Sequence, residues 1–286
     1  MNFEAGAAYA ERHGLEALLV RREGETIFER YAAGFDAHIP HALYSGTKSF
    51  WGVVAAAAVD DGLISLDEPV GETFPGWSVG RKAFVTLRQL LSLTSGIGFG
   101  GLGNAVPSYE KALAVEVKNE PGGTFTYGGI PLQVFGAVLA AKLSAAGKGS
   151  PHDYLRARLL EPIGVTIASW RTLSSGTQPL PTGAFVSAEQ WERYGSFVLA
   201  GGVLGRKRVV SESALAACFT GSPANPRYGL GWWLAPDAAP GLAYASGSGG
   251  QAMYLFRAER TVVVKFGCGS GYKHESFLKK LVQPHR

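Results

Sequence analysis

Ser45-Gly46-Thr47-Lys48-Ser49-Phe50-Trp51-Gly52-Val53-Val54-Ala55-Ala56-Ala57-Ala58-Val59 runs up to Asp60 and Asp61 with a single charge, that of Lys48. A helix through this stretch is apolar on nearly every side, so it reads as a buried core helix around which the rest of the chain packs. Gly62 marks its stop. Ser45 and Lys48 are three residues apart and share one face. An amine shielded from water gives up its proton more readily, and can then take one from a neighbouring hydroxyl; this is the chemistry of an activated serine nucleophile. The bland alternative is a capping serine beside a lysine that stretches to solvent.

Ser-x-x-Lys recurs at Ser108/Lys111, Ser270/Lys273 and Ser276/Lys279. Ser108 follows Pro107 and reads as an N-cap, Ser270 lies in a Gly/Cys-rich loop, and Ser276 belongs to a short helix, His274–Val282, with solvated lysines. Only the copy at Ser45 leads into a long core helix whose first N–H groups can face a developing oxyanion.

The chain has 286 residues, 46% of them hydrophobic and 17% charged, enough for one well-packed unit or one unit with an inserted subdomain. Its 27 basic and 23 acidic residues include one compact basic group, Arg206-Lys207-Arg208, so no nucleic-acid stripe is expected. Cys218 and Cys268 either pair or stay free as buried thiols; sequence leaves both open, with free thiols favoured. The N-terminus lacks a secretory pattern and the longest apolar run is too short for a bilayer. The expectation is a soluble cytoplasmic protein without membrane partner, or a periplasmic or secreted one if a leader has been removed.

Working outward, residues 4 to 13 read as a helix, and Leu15–Val20 and Thr26–Ala32 as two strands joined by a turn at residues 21–25. From Leu63 to about Ser175 short helices alternate with Pro/Gly/Ser-rich loops: Leu87–Leu93, Tyr109–Lys118, Pro131–Leu143 and His152–Leu160. Ala188–Ala200 is a further amphipathic helix. Tyr228–Leu234, Gln251–Arg257 and Thr261–Phe266 carry strand composition. The expected class is α/β (α+β): an antiparallel sheet flanked by helices and completed by N- and C-terminal segments, about 1–62 and 185–286, with an all-helical subdomain at about 63–184. The whole forms a single domain over residues 1–286, with its cleft where block and sheet face each other.

With these pieces in order, the chain resembles the serine hydrolases built like class C β-lactamases, a family that also holds penicillin-recognising esterases, D-amino-acid peptidases and small-amide hydrolases. The resemblance runs nearly end to end. It rests on Ser45-Gly46-Thr47-Lys48, Asp61-Gly62-Leu63-Ile64-Ser65-Leu66-Asp67-Glu68-Pro69-Val70, Leu90-Leu91-Ser92-Leu93-Thr94-Ser95-Gly96, Pro121-Gly122-Gly123-Thr124-Phe125-Thr126-Tyr127, Tyr228-Gly229-Leu230-Gly231-Trp232-Trp233 and Gly249-Gly250-Gln251. It implies a β-lactamase/transpeptidase-like fold, Ser45 as a nucleophile that forms an acyl-enzyme, and Lys48 and Tyr127 as its proton partners. The family's third element, Lys or His, then Thr or Ser, then Gly, falls on Ala245-Ser246-Gly247. Ser246 and Gly247 would then contact substrate, and the N–H groups of Ser45 and Ser248 would form the oxyanion hole.

Two departures shape the expected activity. Ala245 removes a cation or imidazole that would face a substrate carboxylate, and Gly129 stands where the β-lactamases carry an asparagine. Acyl transfer survives both losses, so the expectation is an esterase-like hydrolase of small esters or amides, needing no cofactor. A β-lactamase or D-amino-acid peptidase is the alternative, and a non-catalytic binding protein on the same scaffold is the rival of another class. Oligomeric state is not legible.

Other motifs read as structural. Gly76-Trp77-Ser78-Val79-Gly80 matches G-x-S-x-G but lacks the buried strand of a nucleophile elbow. Gly96-Ile97-Gly98-Phe99-Gly100-Gly101 matches G-x-G-x-x-G without strand or helix and reads as a mobile loop beside the cleft. Tyr44 reads as packing at the helix entrance. His38, His41 and His152 lack partner sets for a metal and read as exposed or capping.

Overall fold

The computed structural model describes residues 1–283. Helix α1 (Phe3–Glu11), capped by the Asn2 side chain, leads into a hairpin of β1 (Ala17–Arg22) and β2 (Glu25–Tyr31). Its turn is shorter than expected: Arg21 and Arg22 stay in the strand, and Glu23-Gly24 alone make the reversal. After β3 (Pro40–Ala42), Tyr44–Thr47 form a 3₁₀ turn and α2 (Lys48–Asp60) begins at Lys48, so Ser45 sits in the turn before the α-helix proper. Every α2 residue from Lys48 to Ala58 is buried, as the lack of charge in this stretch requires.

Four helices follow: α3 (Leu87–Leu91), α4 (Tyr109–Leu113), α5 (Ile130–Ala145) and α6 (Pro151–Leu155), which runs on through a π-turn at Arg156–Leu160. The starts of α3, α4 and α6 are fixed locally, by capping boxes at Thr86/Gln89 and Ser150/Asp153 and by Ser108 before α4. Helix α4 is shorter than the expected 109–118, because Val117 leaves to pair with Ile97. Strand β5 (Ala184–Ser187) pairs with β3 on one side and β4 (Ser169–Trp170) on the other, a three-stranded sheet that the sequence reading did not contain.

Helix α7 (Ala188–Leu199), the small hairpin β6 (Val203–Leu204) and β7 (Lys207–Arg208), and α8 (Glu212–Ala216) precede the last strands. These are β8 (Trp233–Leu234), β9 (Ala243–Gly247), β10 (Gln251–Phe256) and β11 (Thr261–Phe266), followed by α9 (His274–Val282). The strand expected over 228–234 is reduced to its last two residues. Gly231, at φ 82°, brings the loop so close to α2 that a Cβ there would stand 2.3 Å from the Lys48 carbonyl oxygen, an approach only glycine permits.

The main sheet has the order β2-β1-β11-β10-β9-β8 with antiparallel pairing throughout, so the N-terminal hairpin completes a sheet begun by C-terminal strands. Register sorts its faces. Leu19, Val264, Met253 and Ala245 lie in one row on the face that joins α2 and α7 in the main core. Val20, Val263 and Tyr254 lie on the other, under Ala7, Ala10, Phe277 and Leu281 of α1 and α9. Among the described residues no helix is long and apolar enough to cross a membrane.

Several single-residue readings need correction. His41 is buried, stacked 4.3 Å from the Phe266 ring with Nδ1 3.0 Å from Glu16, because the three-stranded sheet folds it inward. His152 stands edge-on to Trp51 and Trp170. Tyr44 is 41% exposed instead of packed, with its backbone in the left-handed region at φ 47°. Both cysteines are free, but only Cys218 is buried; Cys268 is exposed.

Candidate active site

The residues proposed from sequence converge. Lys48 Nζ lies 3.0 Å from Ser45 Oγ, 3.3 Å from the Tyr127 hydroxyl and 3.4 Å from the carbonyl oxygen of Pro181. The Ser45–Lys48 contact is local, a product of the turn that enters α2. The contacts to Tyr127 and Pro181 are tertiary. Tyr127 stands just before α5, in a loop pinned to the segment after α3 by Gly122 N–H to Thr94 O at 2.7 Å and Thr126 N–H to Leu93 O at 2.9 Å. Pro181 is set by Leu180, whose carbonyl accepts from Trp51 Nε1 at 2.6 Å and whose N–H donates to Gln133 Oε1 at 2.8 Å.

Lys48 is 1% exposed and has no carboxylate partner among the described residues, so burial alone drives its pKa down to about 7. At neutral pH a large fraction is free amine, able to accept a proton. The amine also sits 4.7 Å from the centre of the Tyr127 ring. Burial raises the Tyr127 pKa, and a hydrogen bond to Ser45 partly offsets that rise, so the phenol keeps its proton.

Ser45, Tyr127, Ser246, Gly247 and Ser248 line one open cavity of about 320 Å³. Lys48 lies behind its wall. The end of β9 reaches this position because Gly247 has no side chain: a Cβ would stand 2.1 Å from the Leu43 carbonyl oxygen, two residues before Ser45. Ser248 then opens the tight turn to β10. Gly129 cannot carry a side chain either, as its Cβ would stand 2.0 Å from Gly101 O. The Gly96–Gly101 loop is therefore a packed backing for the tyrosine loop, held by Gly129 N–H to Gly100 O at 2.9 Å, and not the free loop expected.

Three further residues line the cavity: Trp233, which the sequence allows as core or cleft wall, and Tyr244 and His274, which sequence reasoning did not place there. Trp233 stacks on Tyr127 at 5.8 Å and on Tyr244 at 6.4 Å, giving the cleft an aromatic wall. Trp232, next to it, is core. Its place in the Trp232-Trp233 pair was a visible signal for Trp233, but nothing in sequence ties the first residue of α9 to β9. The same three residues border a second cavity of about 570 Å³ along α9. A cavity of about 510 Å³ at His152 and Trp170 contains none of the converging groups. Among the described residues no cluster of three or more His, Cys, Asp or Glu side chains could hold a metal ion.

A shielded amine, an alcohol and a phenol around one cavity can perform acyl transfer, with the amine as proton acceptor. Comparison with known proteins agrees on the scaffold. A family model described as Beta-lactamase matches residues 4–272. A 6-aminohexanoate-dimer hydrolase from Paenarthrobacter ureafaciens is 26% identical, over 87% of this chain and 71% of that protein. The crystal structure of a D-stereospecific amidohydrolase from Streptomyces sp. superposes with a TM-score of 0.74 at 16% identity, covering 98% of each chain. That of EstCE1, a hydrolase with promiscuous acyltransferase activity, gives 0.75 at 15% identity, over 98% of this chain and 96% of the other.

Proposed function

Because the chain belongs to the Beta-lactamase family and is a serine hydrolase, we propose that it cleaves a small ester or linear amide through an acyl-enzyme on Ser45. The observation that carries this reading is the buried Lys48 amine, 3.0 Å from Ser45 Oγ and 3.3 Å from the Tyr127 hydroxyl. Ser45 Oγ attacks the carbonyl carbon and its proton passes to the neutral amine. The N–H groups of Ser45 and Ser248 hold the oxyanion. The C–O or C–N bond breaks, and the leaving group departs with a proton returned by Lys48 through Tyr127. Water then attacks the acyl-enzyme, gives its proton to the same pair, and Ser45 leaves as the alcohol.

The substrate class follows from what the cleft lacks. Ala245 is buried and brings no cation to the end of β9, and Gly129 has no room for an amide side chain. Both features disfavour β-lactams and favour neutral acyl groups. The likeness to a 6-aminohexanoate-dimer hydrolase favours a linear amide within the same reading.

The test is intact-mass spectrometry and turnover with p-nitrophenyl esters, linear amides, D-amino amides and nitrocefin. An acyl or fluorophosphonate adduct on Ser45, and turnover lost in Ser45→Ala, are the expected results. An adduct on another serine removes Ser45 from the mechanism, and ligand binding without any adduct establishes the binding-protein alternative. Nitrocefin turnover equal to that of esters overturns the substrate assignment.

A further inference from the structure

His274 opens α9 and leans over the sheet face that carries Tyr244, Ser246, Ala252 and Tyr254, residues placed on one side by the β9–β10 register. Its Nε2 lies 2.8 Å from Ser246 Oγ and its Nδ1 2.7 Å from the Tyr254 hydroxyl. Tyr254 OH lies 2.8 Å from Tyr272 OH. Four polar groups thus form one chain, and only its Ser246 end reaches the cavity beside Ser45 with the imidazole.

Protons can be arranged along this chain in two directions when the imidazole is neutral. Burial, aided by the charge of Lys265, lowers the His274 pKa to about 4, so the ring is neutral at physiological pH. In one direction Ser246 donates to Nε2, Nδ1–H donates to Tyr254, and Tyr254 donates to Tyr272. The surplus proton then lies on Tyr272, whose hydroxyl has no other partner among the described residues. In the other, Tyr272 donates to Tyr254, Tyr254 to Nδ1, and Nε2–H to Ser246. Every internal donor is used, and the surplus proton is on Ser246, where a substrate can accept it. A donor left without an acceptor is costly, so the second direction prevails.

We propose that His274, held by Tyr254, is a positioning residue that fixes Ser246 as a neutral hydrogen-bond donor, so that the cleft selects acyl chains bearing an uncharged oxygen acceptor over chains bearing a carboxylate. The selectivity rests on the hydrolase reading above; the proton order does not. A carboxylate at this point would lose its hydration to a single neutral donor. The cations of the adjoining cavity are already engaged, Arg227 with Asp237 and Lys279 with Glu275. An amide or ester oxygen loses little hydration and gains the Ser246 proton.

Two measurements test this on the full chain. Long-range ¹H–¹⁵N correlation of ¹⁵N-histidine protein, with the signal assigned by its loss in His274→Gln, should show a proton on Nε2 and none on Nδ1 of His274. A proton on Nδ1 overturns the proposal whatever the enzyme hydrolyses. The second measurement compares two p-nitrophenyl esters of equal length, one ending in a primary amide and one in a carboxylate. The wild-type preference in kcat/KM for the amide should fall about tenfold, through KM, in His274→Phe, the scale of one hydrogen bond. It should fall in Tyr254→Phe too, which keeps the ring and its packing, and His274→Gln should restore part of it. An unchanged preference in Tyr254→Phe with altered tautomer overturns the selectivity claim, as does a wild-type preference for the carboxylate. Absence of fluorophosphonate labelling at Ser45 in the wild type would instead defeat the hydrolase reading, with the proton order still decided by the spectra.

Discussion

Gly129 and Gly101 are in backbone contact: a Cβ on Gly129 would stand 2.0 Å from the Gly101 carbonyl oxygen and 3.0 Å from Pro181 Cγ. The first of these neighbours is main chain and cannot swing aside. This contact is the physical reason that the position ahead of α5 offers no side chain to a substrate, and it also ties the Gly96–Gly101 loop to the loop that presents Tyr127.

Restoring an asparagine at this position should therefore damage the fold instead of conferring β-lactam turnover. Gly129→Asn is expected to cost about 3 kcal/mol or more through overpacking. Thermal denaturation beside wild type checks it, and an unchanged Tm would show that the two loops are not packed as described.

The pH response of Lys48 has a definite sign. Its folded pKa is about 7 against an ordinary value of 10.5, so over that window the unfolded chain holds a proton that the folded chain has lost. Burial of the amine thus costs stability that is recovered as pH rises through the window and is fully felt at pH 7 and below. Lys48→Met should abolish ester turnover yet raise stability at pH 7 by an amount on the order of a few kcal/mol, discounted for the hydrogen bonds it loses. Urea melts of both proteins at pH 7 and pH 10 are the measurement: the gain should shrink at the higher pH. Wild-type kcat/KM should fall on the acid side of about pH 7.

Tyr127 combines a chemical end and a packing surface. Tyr127→Phe keeps the ring that stacks 5.8 Å from Trp233 but removes the hydroxyl 3.3 Å from Lys48. Turnover should fall by about 10²–10⁴-fold, the range of one general acid or base, with an unchanged far-ultraviolet circular dichroism spectrum. A loss below fivefold would relieve the phenol of its proton-transfer role.

Asp61 joins the end of α2 to α6 and the π-turn, accepting from Arg158 Nε at 3.0 Å and Tyr154 OH at 2.8 Å. Burial alone would raise its pKa, but these bonds outweigh it and the net shift is downward. The stability it contributes is present above its unfolded value of 3.8 and is lost as pH falls from there through its lower folded value. Asp61→Ala should destabilise by about 1–3 kcal/mol at pH 7 and by less at pH 3, because it leaves Tyr154 and Arg158 without the carboxylate that accepts from them. Equal losses at both pH values would assign the effect to packing.

Native protein should react with one equivalent of a thiol reagent, at exposed Cys268, and with two once unfolded, when Cys218 is uncovered. Burial pushes the Cys218 thiol up to about 12, which slows it further. Two fast equivalents in the native state would contradict this placement.

Much was legible from local chemistry. The charge-free run after Lys48 announced a buried helix, and three-residue spacing put Ser45 beside the amine, because one turn of chain brings such residues together whatever surrounds them. Ser108 marked the start of α4, the amphipathic run from Ala188 marked α7, and Thr261–Phe266 was readable to the residue as β11. Segments whose shape depends on a distant partner were not. The strand expected at Tyr228–Leu234 gives way where Gly231 meets the Lys48 carbonyl, and the helix expected to Lys118 gives way where Val117 meets Ile97.

The amino-acid order by itself determined the setting of the proposed nucleophile: an alcohol one turn from an amine, on a helix too apolar to sit anywhere but inside. Only the folded chain decided what surrounds them, bringing Tyr127 and Pro181 to the amine and laying His274 across Ser246 from a helix that begins 28 residues later. The reason is that a turn is fixed by bonds between near neighbours, whereas a cleft is made by surfaces far apart in sequence, whose meeting depends on burying the whole core at once.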